Sequence, residues 1–139
     1  MDEIFLKDEQ ETINFGKEFA KRLKGDEVIC LLGDLGSGKT TFVKGLAEGL
    51  GIREGYQVRS PTFTIVNEYP TQRGRLIHID LYRVEDFDVE QFVGEGIVVV
   101  EWARNLELCD CILEFLFDGE GRRVVLKFNE KEVHYGLSW

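Results

Sequence analysis

Val28-Ile29-Cys30-Leu31-Leu32-Gly33-Asp34-Leu35-Gly36-Ser37-Gly38-Lys39-Thr40 decides the fold. The apolar run Val28 to Leu32 has the pattern of a short strand buried on both faces. Gly33 to Thr40 then match G-x-x-x-x-G-K-[ST] in full. Its glycines let the backbone curl until successive N–H groups converge on phosphate oxygens. From Lys39 to Leu50 the chain reads as a helix, with Phe42, Val43, Leu46 and Leu50 at helical spacing and Gly51 as the stop. Strand, glycine loop and helix are the context a phosphate loop requires, and the helix adds the positive end of its dipole. Gly36, Ser37 and Gly38 are then the cradle. Lys39 reaches β- and γ-phosphates, the Thr40 hydroxyl meets Mg²⁺, and Thr41 donates to the α-phosphate.

Working outward, Asp8 has the form of a helix N-cap, with Glu11 as its capping-box partner. Phe15, Phe19 and Leu23 share one helix face, and Gly25 is the expected stop. Gly45 and Gly49 lower the propensity of the second helix by about 1 kcal/mol each relative to Ala, and close packing on a neighbouring sheet would explain them. Beyond it, Arg59 to Thr62 reads as a loop, Phe63 to Tyr69 as a strand and Pro70 to Gly74 as a turn. Leu76 to Asp80 and Ile97 to Glu101 are apolar runs that each end in a carboxylate, with an acidic, partly helical stretch from Val84 to Gly96 between them. Ile112 to Phe117 and Val124 to Phe128 flank Asp118-Gly119-Glu120-Gly121 as a hairpin. The order of elements predicts one α/β domain over residues 1–139: a P-loop NTPase-like three-layer fold with a mixed sheet, its parallel core joined by antiparallel strands and a C-terminal hairpin.

Asp80 and Glu101 stand where open α/β sheets gather ligand chemistry, at strand C-termini. A phosphate loop needs such a carboxylate beside its metal and a group to orient the attacking water. The two acids can divide these tasks, and their positions alone do not say how. His78 reads as a hydrogen-bonded structural imidazole. Trp102 either covers the nucleotide or belongs to the core, and Arg83, Arg122 and Arg123 read chiefly as surface charges.

Composition narrows the function. The 139 residues carry 26 acidic and 17 basic side chains, a net charge of −9. Phosphate-binding surfaces need clustered Lys and Arg, so this chain is not expected to grip nucleic acid unaided. No stretch approaches the roughly 18 apolar residues of a membrane span, and Met1-Asp2-Glu3-Ile4 does not read as a secretion signal. Cys30, Cys109 and Cys111 read as reduced, partly buried thiols of a cytoplasmic protein. Guanine-reading N-K-x-D is missing, and D-x-x-G falls in the late hairpin turn, so a regulatory GTPase is disfavoured. Arg53, Arg59, Arg73 and Arg75 are too scattered to suggest a kinase lid.

Gly33 to Thr41, Ser60-Pro61-Thr62-Phe63-Thr64, His78-Ile79-Asp80-Leu81-Tyr82-Arg83 and Val100-Glu101-Trp102, in this order and spacing, closely resemble the bacterial TsaE (YjeE) family. The resemblance runs from Asp8 to Trp102; Ala103 stands where the family often has Pro. It implies a P-loop ATPase, using Mg²⁺ with ATP as substrate, needed to form N6-threonylcarbamoyladenosine in tRNAs that read ANN codons. It implies a TsaD–TsaB-like complex as partner, with tRNA met only through that partner. By motif, Thr62 lies in a loop that senses the γ-phosphate, Asp80 resembles the Walker B acid, and Glu101 resembles a residue that contacts Mg²⁺ and assists hydrolysis. Trp102 resembles the tryptophan beside the nucleotide, Asp8 resembles a residue near the adenine, and Arg122 is a further nucleotide contact. A small-molecule kinase and a nucleotide-gated binding module are the alternatives.

Overall fold

The computed structural model describes residues 2–128. The five-residue apolar run becomes β2 (Val28–Leu32), buried along nearly its whole length. The helix that follows is α2 (Lys39–Leu50), closed by Gly51 in the left-handed conformation. The preceding helix is α1 (Glu9–Ala20). Asp8 caps it as its sequence predicts: the carboxylate accepts from the Glu11 N–H at 2.9 Å, and Glu11 reaches back to the Lys7 N–H at 2.8 Å. Gly25 is not its stop. α1 ends earlier because Arg73 donates to the carbonyls of Ala20 and Leu23, and the buried Glu27 carboxylate collects the N–H groups of Lys24, Gly25 and Asp26.

Around β2 the chain builds a seven-stranded sheet. β5 (Ile97–Glu101) lies parallel to β2 on one side, and β6 (Cys111–Asp118) lies parallel to it on the other. β4 (Gly74–Asp80) pairs parallel with β5. The outer strands run antiparallel: β3 (Val66–Thr71) against β4, β7 (Gly121–Phe128) against β6, and β1 (Asp2–Leu6) against β7. The order β1-β7-β6-β2-β5-β4-β3 is the mixed sheet with a parallel core that the sequence predicts. β1 is an addition: its alternating Asp2 to Leu6 pattern is short and lies beyond the helix signals.

Three layers result, and their two outer faces differ. α1 and α2 cover one face, where Ile29, Leu31, Leu76, Val99, Leu113 and Phe115 meet Phe15, Phe19, Phe42 and Leu46. The other face carries Val28, Cys30, Ile77, Ile79, Val98 and Val100. It is covered by loop residues such as Leu81, Phe87, Val89 and Leu108, with short 3-10 turns at Val89–Phe92 and Leu106–Leu108. The helical signal between Val84 and Gly96 therefore amounts to one such turn.

Two further boundaries move. Phe63 is not yet strand, because Ser60 to Ile65 form a turn-rich loop and β3 starts at Val66. Pro70 and Thr71 extend β3, which tolerates a proline as an edge strand. Gly45 and Gly49 do allow close packing, but on α1 rather than on the sheet. A Cβ at Gly45 would fall on the Ile13 carbonyl, and one at Gly49 would meet Ala20 and Lys17. Gly16 returns the contact, backbone to backbone, against Phe42 and Leu46.

The thiol expectation needs correction. Cys30 and Cys109 form a disulfide, while Cys111 is free and buried. The pair is distant in sequence, separated by 79 residues, yet the β2–β6 pairing brings the two Cα atoms to 5.8 Å, within bridging range. Cys111 sits on the opposite sheet face, where burial pushes its thiol well above the ordinary value.

Two stability predictions follow from this packing. Ala is the better helix former by about 1 kcal/mol, yet Gly45→Ala is expected to lower urea-unfolding stability by about 1–3 kcal/mol through crowding. An unchanged or higher midpoint would mean the helices separate freely. Reduction of Cys30–Cys109 is expected to cost about 2–4 kcal/mol, read as a lower denaturation midpoint with reductant; coincident curves would speak against the bridge.

Candidate nucleotide site

The parallel strands β2, β5 and β4 end side by side, and the last residues of β4 and β5, Asp80 and Glu101, face the cleft beside the loop that follows β2. The loop after β2 turns through Gly33, Gly36 and Gly38, all at positive φ. At Gly33 a side chain would strike the Phe115 backbone, so glycine is required there by space as well as by conformation. Gly38 is the N-cap of α2 and supplies no side-chain cap, so the first N–H groups of that helix lack the usual side-chain acceptor. Ser37 contributes a buried hydroxyl with no hydrogen-bond partner among the described residues. Orphaned donors at a helix N-terminus form a ready anion site.

Lys39 is almost fully buried and folds back over this loop. Its ammonium donates to the carbonyls of Gly33 and Asp34 and lies 4.2 Å from the centre of the Trp102 ring. Burial lowers its pKa from the ordinary lysine value, and the carboxylates of Glu101, Asp80 and Asp34 pull it partly back.

Thr40 donates to Glu101 Oε2 at 3.0 Å, across 61 residues of sequence. The same oxygen lies 2.5 Å from His78 Nε2. Asp80 accepts from the Tyr82 N–H at 2.8 Å and from the Thr62 hydroxyl at 3.3 Å, and Thr62 is paired with Ser60 at 2.9 Å. Asp80 and Glu101 are each only 3% exposed, so both carboxylates point into protein and cleft rather than into bulk water.

The cleft has a volume of about 450 Å³. Asp8, Gly36, Ser37, Gly38, Lys39, Thr40, Thr41, Thr62, Asp80, Glu101, Trp102 and Arg122 all line it, so every candidate residue from the sequence meets in one place. Trp102 thus belongs to the cleft wall, with a φ of 60° and its ring 4.9 Å from that of Tyr82. Arg122 is not the plain surface charge expected of it. It reaches across from β7 to donate to the Ser37 carbonyl at 3.2 Å and the Gly36 carbonyl at 3.1 Å, bracing the loop. Arg83 instead covers the exposed Phe63 ring at 4.9 Å.

Tyr82, Glu9 and Thr12 also line the cleft and were not anticipated. His78 is the hydrogen-bonded imidazole its sequence reading expects, buried on the same face of β4 as Asp80, with Glu101 as its partner. The oxygen-rich set of Thr40, Glu101 and Asp80 suits a hard cation such as Mg²⁺. Among the described residues no group of three or more His, Cys, Asp or Glu side chains is placed to hold a metal ion.

Fold and cleft together define a phosphate-loop domain of the α/β class. The chain belongs to the TsaE family: the family described as "Threonylcarbamoyl adenosine biosynthesis protein TsaE" matches residues 6–131. It is 55% identical over 123 residues to the tRNA threonylcarbamoyladenosine biosynthesis protein TsaE of Aquifex aeolicus, covering 88% of this chain and 92% of that protein. The protein of the same name from a Nostoc species is 43% identical over 116 residues, covering 76% of this chain and 70% of its own. A crystal structure of Bacillus subtilis YdiB superposes with a TM-score of 0.71 at 38% identity, covering 88% of this chain and 82% of that one. Among the described residues no helix is long and apolar enough to cross a membrane.

The lowered Lys39 pKa has a measurable consequence for stability. Between the folded value and the ordinary 10.5 the unfolded chain binds more protons, so folding gains stability as pH rises through that window. Below the folded value the cost of the buried charge stays in place. Urea unfolding across alkaline pH should therefore show wild type gaining on Lys39→Met as pH approaches 10.5. Parallel curves would contradict a desolvated lysine.

Proposed function

We propose that this protein binds and hydrolyses ATP with Mg²⁺, and that the cycle supports formation of N6-threonylcarbamoyladenosine in tRNAs reading ANN codons. It acts on a TsaD–TsaB-like protein complex in the cytoplasm. The observation that carries the reading is the meeting of Lys39, Thr40, Thr62, Asp80 and Glu101 at the uncapped N-terminus of α2. The names of the relatives support the tRNA modification.

The triphosphate lies along the backbone N–H groups of Gly36 to Thr41. Lys39 leaves the carbonyls of Gly33 and Asp34 for the β- and γ-phosphate oxygens, a stronger, charge-assisted pairing. Thr40, Glu101 and Asp80 would hold Mg²⁺, whose charge would offset that of the phosphates. The remaining carboxylate capacity orients water for in-line attack. Asp8 and Trp102 border the base and sugar, and Arg122 keeps the loop in shape.

The segment Ser60 to Ile65 is the sensor. Thr62 is tied to Asp80 by a long 3.3 Å bond, and Ile65, a β-branched residue, sits at φ 70°. Such a backbone costs about 1–3 kcal/mol, so a γ-phosphate that attracts Thr62 redirects a segment already under strain. Hydrolysis removes that attraction, and the partner complex reads the change. RNA contact falls to the partner, consistent with a net charge of −9 here.

Reconstitution tests this reading: protein, ATP, Mg²⁺ and the partner complex are combined with tRNA and a threonylcarbamoyl donor. Multiple turnover is expected to fall by about a hundredfold or more in Lys39→Ala. Glu101→Ala should bind ATP but stall the cycle. Turnover that survives Lys39→Ala sinks the proposal, persistence with uncleaved ATP makes the protein a nucleotide-gated module, and clean transfer to a small acceptor makes it a kinase.

A further inference from the structure

We propose that His78 is a positioning residue for Glu101: its Nε2–H holds one carboxylate oxygen so that the other is presented to the cation shared with Thr40. The inference rests on the reading of the cleft as a Mg·nucleotide site.

His78 lies within β4 between Ile77 and Ile79 and is fully buried, at 0% exposure. Strand alternation puts Leu76, His78 and Asp80 on one face. The ladder pairs Asp80 with Glu101 and His78 with Val99, so His78 stands one step behind the Glu101 carboxylate on that same face. Nε2 reaches Oε2 at 2.5 Å. With Glu101 as the acceptor, as proposed, Nε2 carries the proton. Nδ1 is buried and has no partner among the described residues.

That orphan atom separates a filler from a device. A side chain whose task is only to occupy space in this buried strand would be apolar, without an unmet polar atom. What the imidazole adds is the single bond to Oε2. Among the described residues Oε2 is the one oxygen of Glu101 that is hydrogen-bonded, by His78 and by Thr40, which leaves Oε1 for a ligand. The terminal torsion of Glu is broad, and a tether on one oxygen fixes it. Thr40 is then oriented through the same atom. Outer partners of this kind typically alter metal affinity or activity by about 10–100-fold.

The experiment reads the Mg²⁺ concentration at which binding of adenylyl imidodiphosphate tightens, by calorimetry, in wild type, His78→Leu and His78→Gln. Leu removes the donor, and Gln restores an N–H. His78→Leu is expected to raise the Mg²⁺ midpoint about tenfold or more while leaving Mg²⁺-free affinity unchanged. His78→Gln should recover most of it, and His78→Leu should add nothing in a Glu101→Ala background. An unchanged midpoint, or equal shifts in Leu and Gln variants, overturns the proposal. Long-range ¹H–¹⁵N spectra of the ligand-free wild type supply an arm without any substitution: a protonated Nε2 is expected, and an Nδ1–H tautomer overturns the proposal. A wild type that binds Mg·nucleotide without hydrolysing it defeats the ATPase reading alone, since the midpoint still decides the role of His78.

Discussion

β5 is clamped between two parallel neighbours, and the position of Glu101 follows from that. Its ladder with β2 sets Leu31 opposite Glu101, and its ladder with β4 sets Asp80 opposite the same residue. The bonds continue past the strand ends: the Leu81 N–H reaches the Glu101 carbonyl at 3.0 Å, and the Trp102 N–H reaches the Leu31 carbonyl at 3.3 Å. Glu101 is therefore held from both sides by backbone that is difficult to shift without opening the sheet. Parallel pairing also aligns C-termini, so the phosphate loop after β2 and the carboxylates after β4 and β5 emerge together. A register slip of one residue would turn Glu101 to the opposite face and remove it from Thr40.

The other half of the cleft depends on where α2 lies. Thr40 meets Glu101 only if the first turn of α2 sits low over the sheet. Phe42, in that turn, packs with Phe15 and Phe19 of α1 and with Phe115 of β6 at centroid distances of 5.4, 5.6 and 5.9 Å. Such rings add packing energy of about 0.5–1.5 kcal/mol per pair beyond their buried area. Gly16, Gly45 and Gly49 let α1 press directly against the backbone of α2. The low helix propensity of these residues is therefore offset by a contact that fixes the helix carrying Lys39 and Thr40.

This division explains what the sequence revealed and what it concealed. The loop, both helices, the strands ending at Asp80 and Glu101, and the late hairpin carry strong local signals: glycines at a fixed spacing, a cap, apolar runs of the right period. Elements whose stability comes from partners were hidden. β1 exists because β7 offers an edge, and Arg122 faces the loop because β7 is placed beside it. The Cys30–Cys109 bridge depends on the β2–β6 pairing, which no spacing of cysteines announces. His78 was half legible. Its parity with Asp80 and its reading as a hydrogen-bonded imidazole come from the sequence, but its partner lies on another strand, which no local spacing announces.

The electrostatics of the cleft explain why a cation is integral to the proposed chemistry. Asp80 and Glu101 are nearly buried and face the same cleft as the loop. Two unit charges about 4 Å apart interact by roughly 4 kcal/mol in a medium of intermediate dielectric. An unshielded triphosphate beside these acids would therefore be repelled strongly. Lys39 alone does not balance them, since its own charge is already opposed by burial and engaged with loop carbonyls. A divalent cation held by these carboxylates would offset both repulsions. On that reading the buried acids favour phosphate that arrives with its metal over bare phosphate. Glu101 Oε2 joins the phosphate loop through Thr40 to the sheet through His78, so the proposed cation site is tied to both.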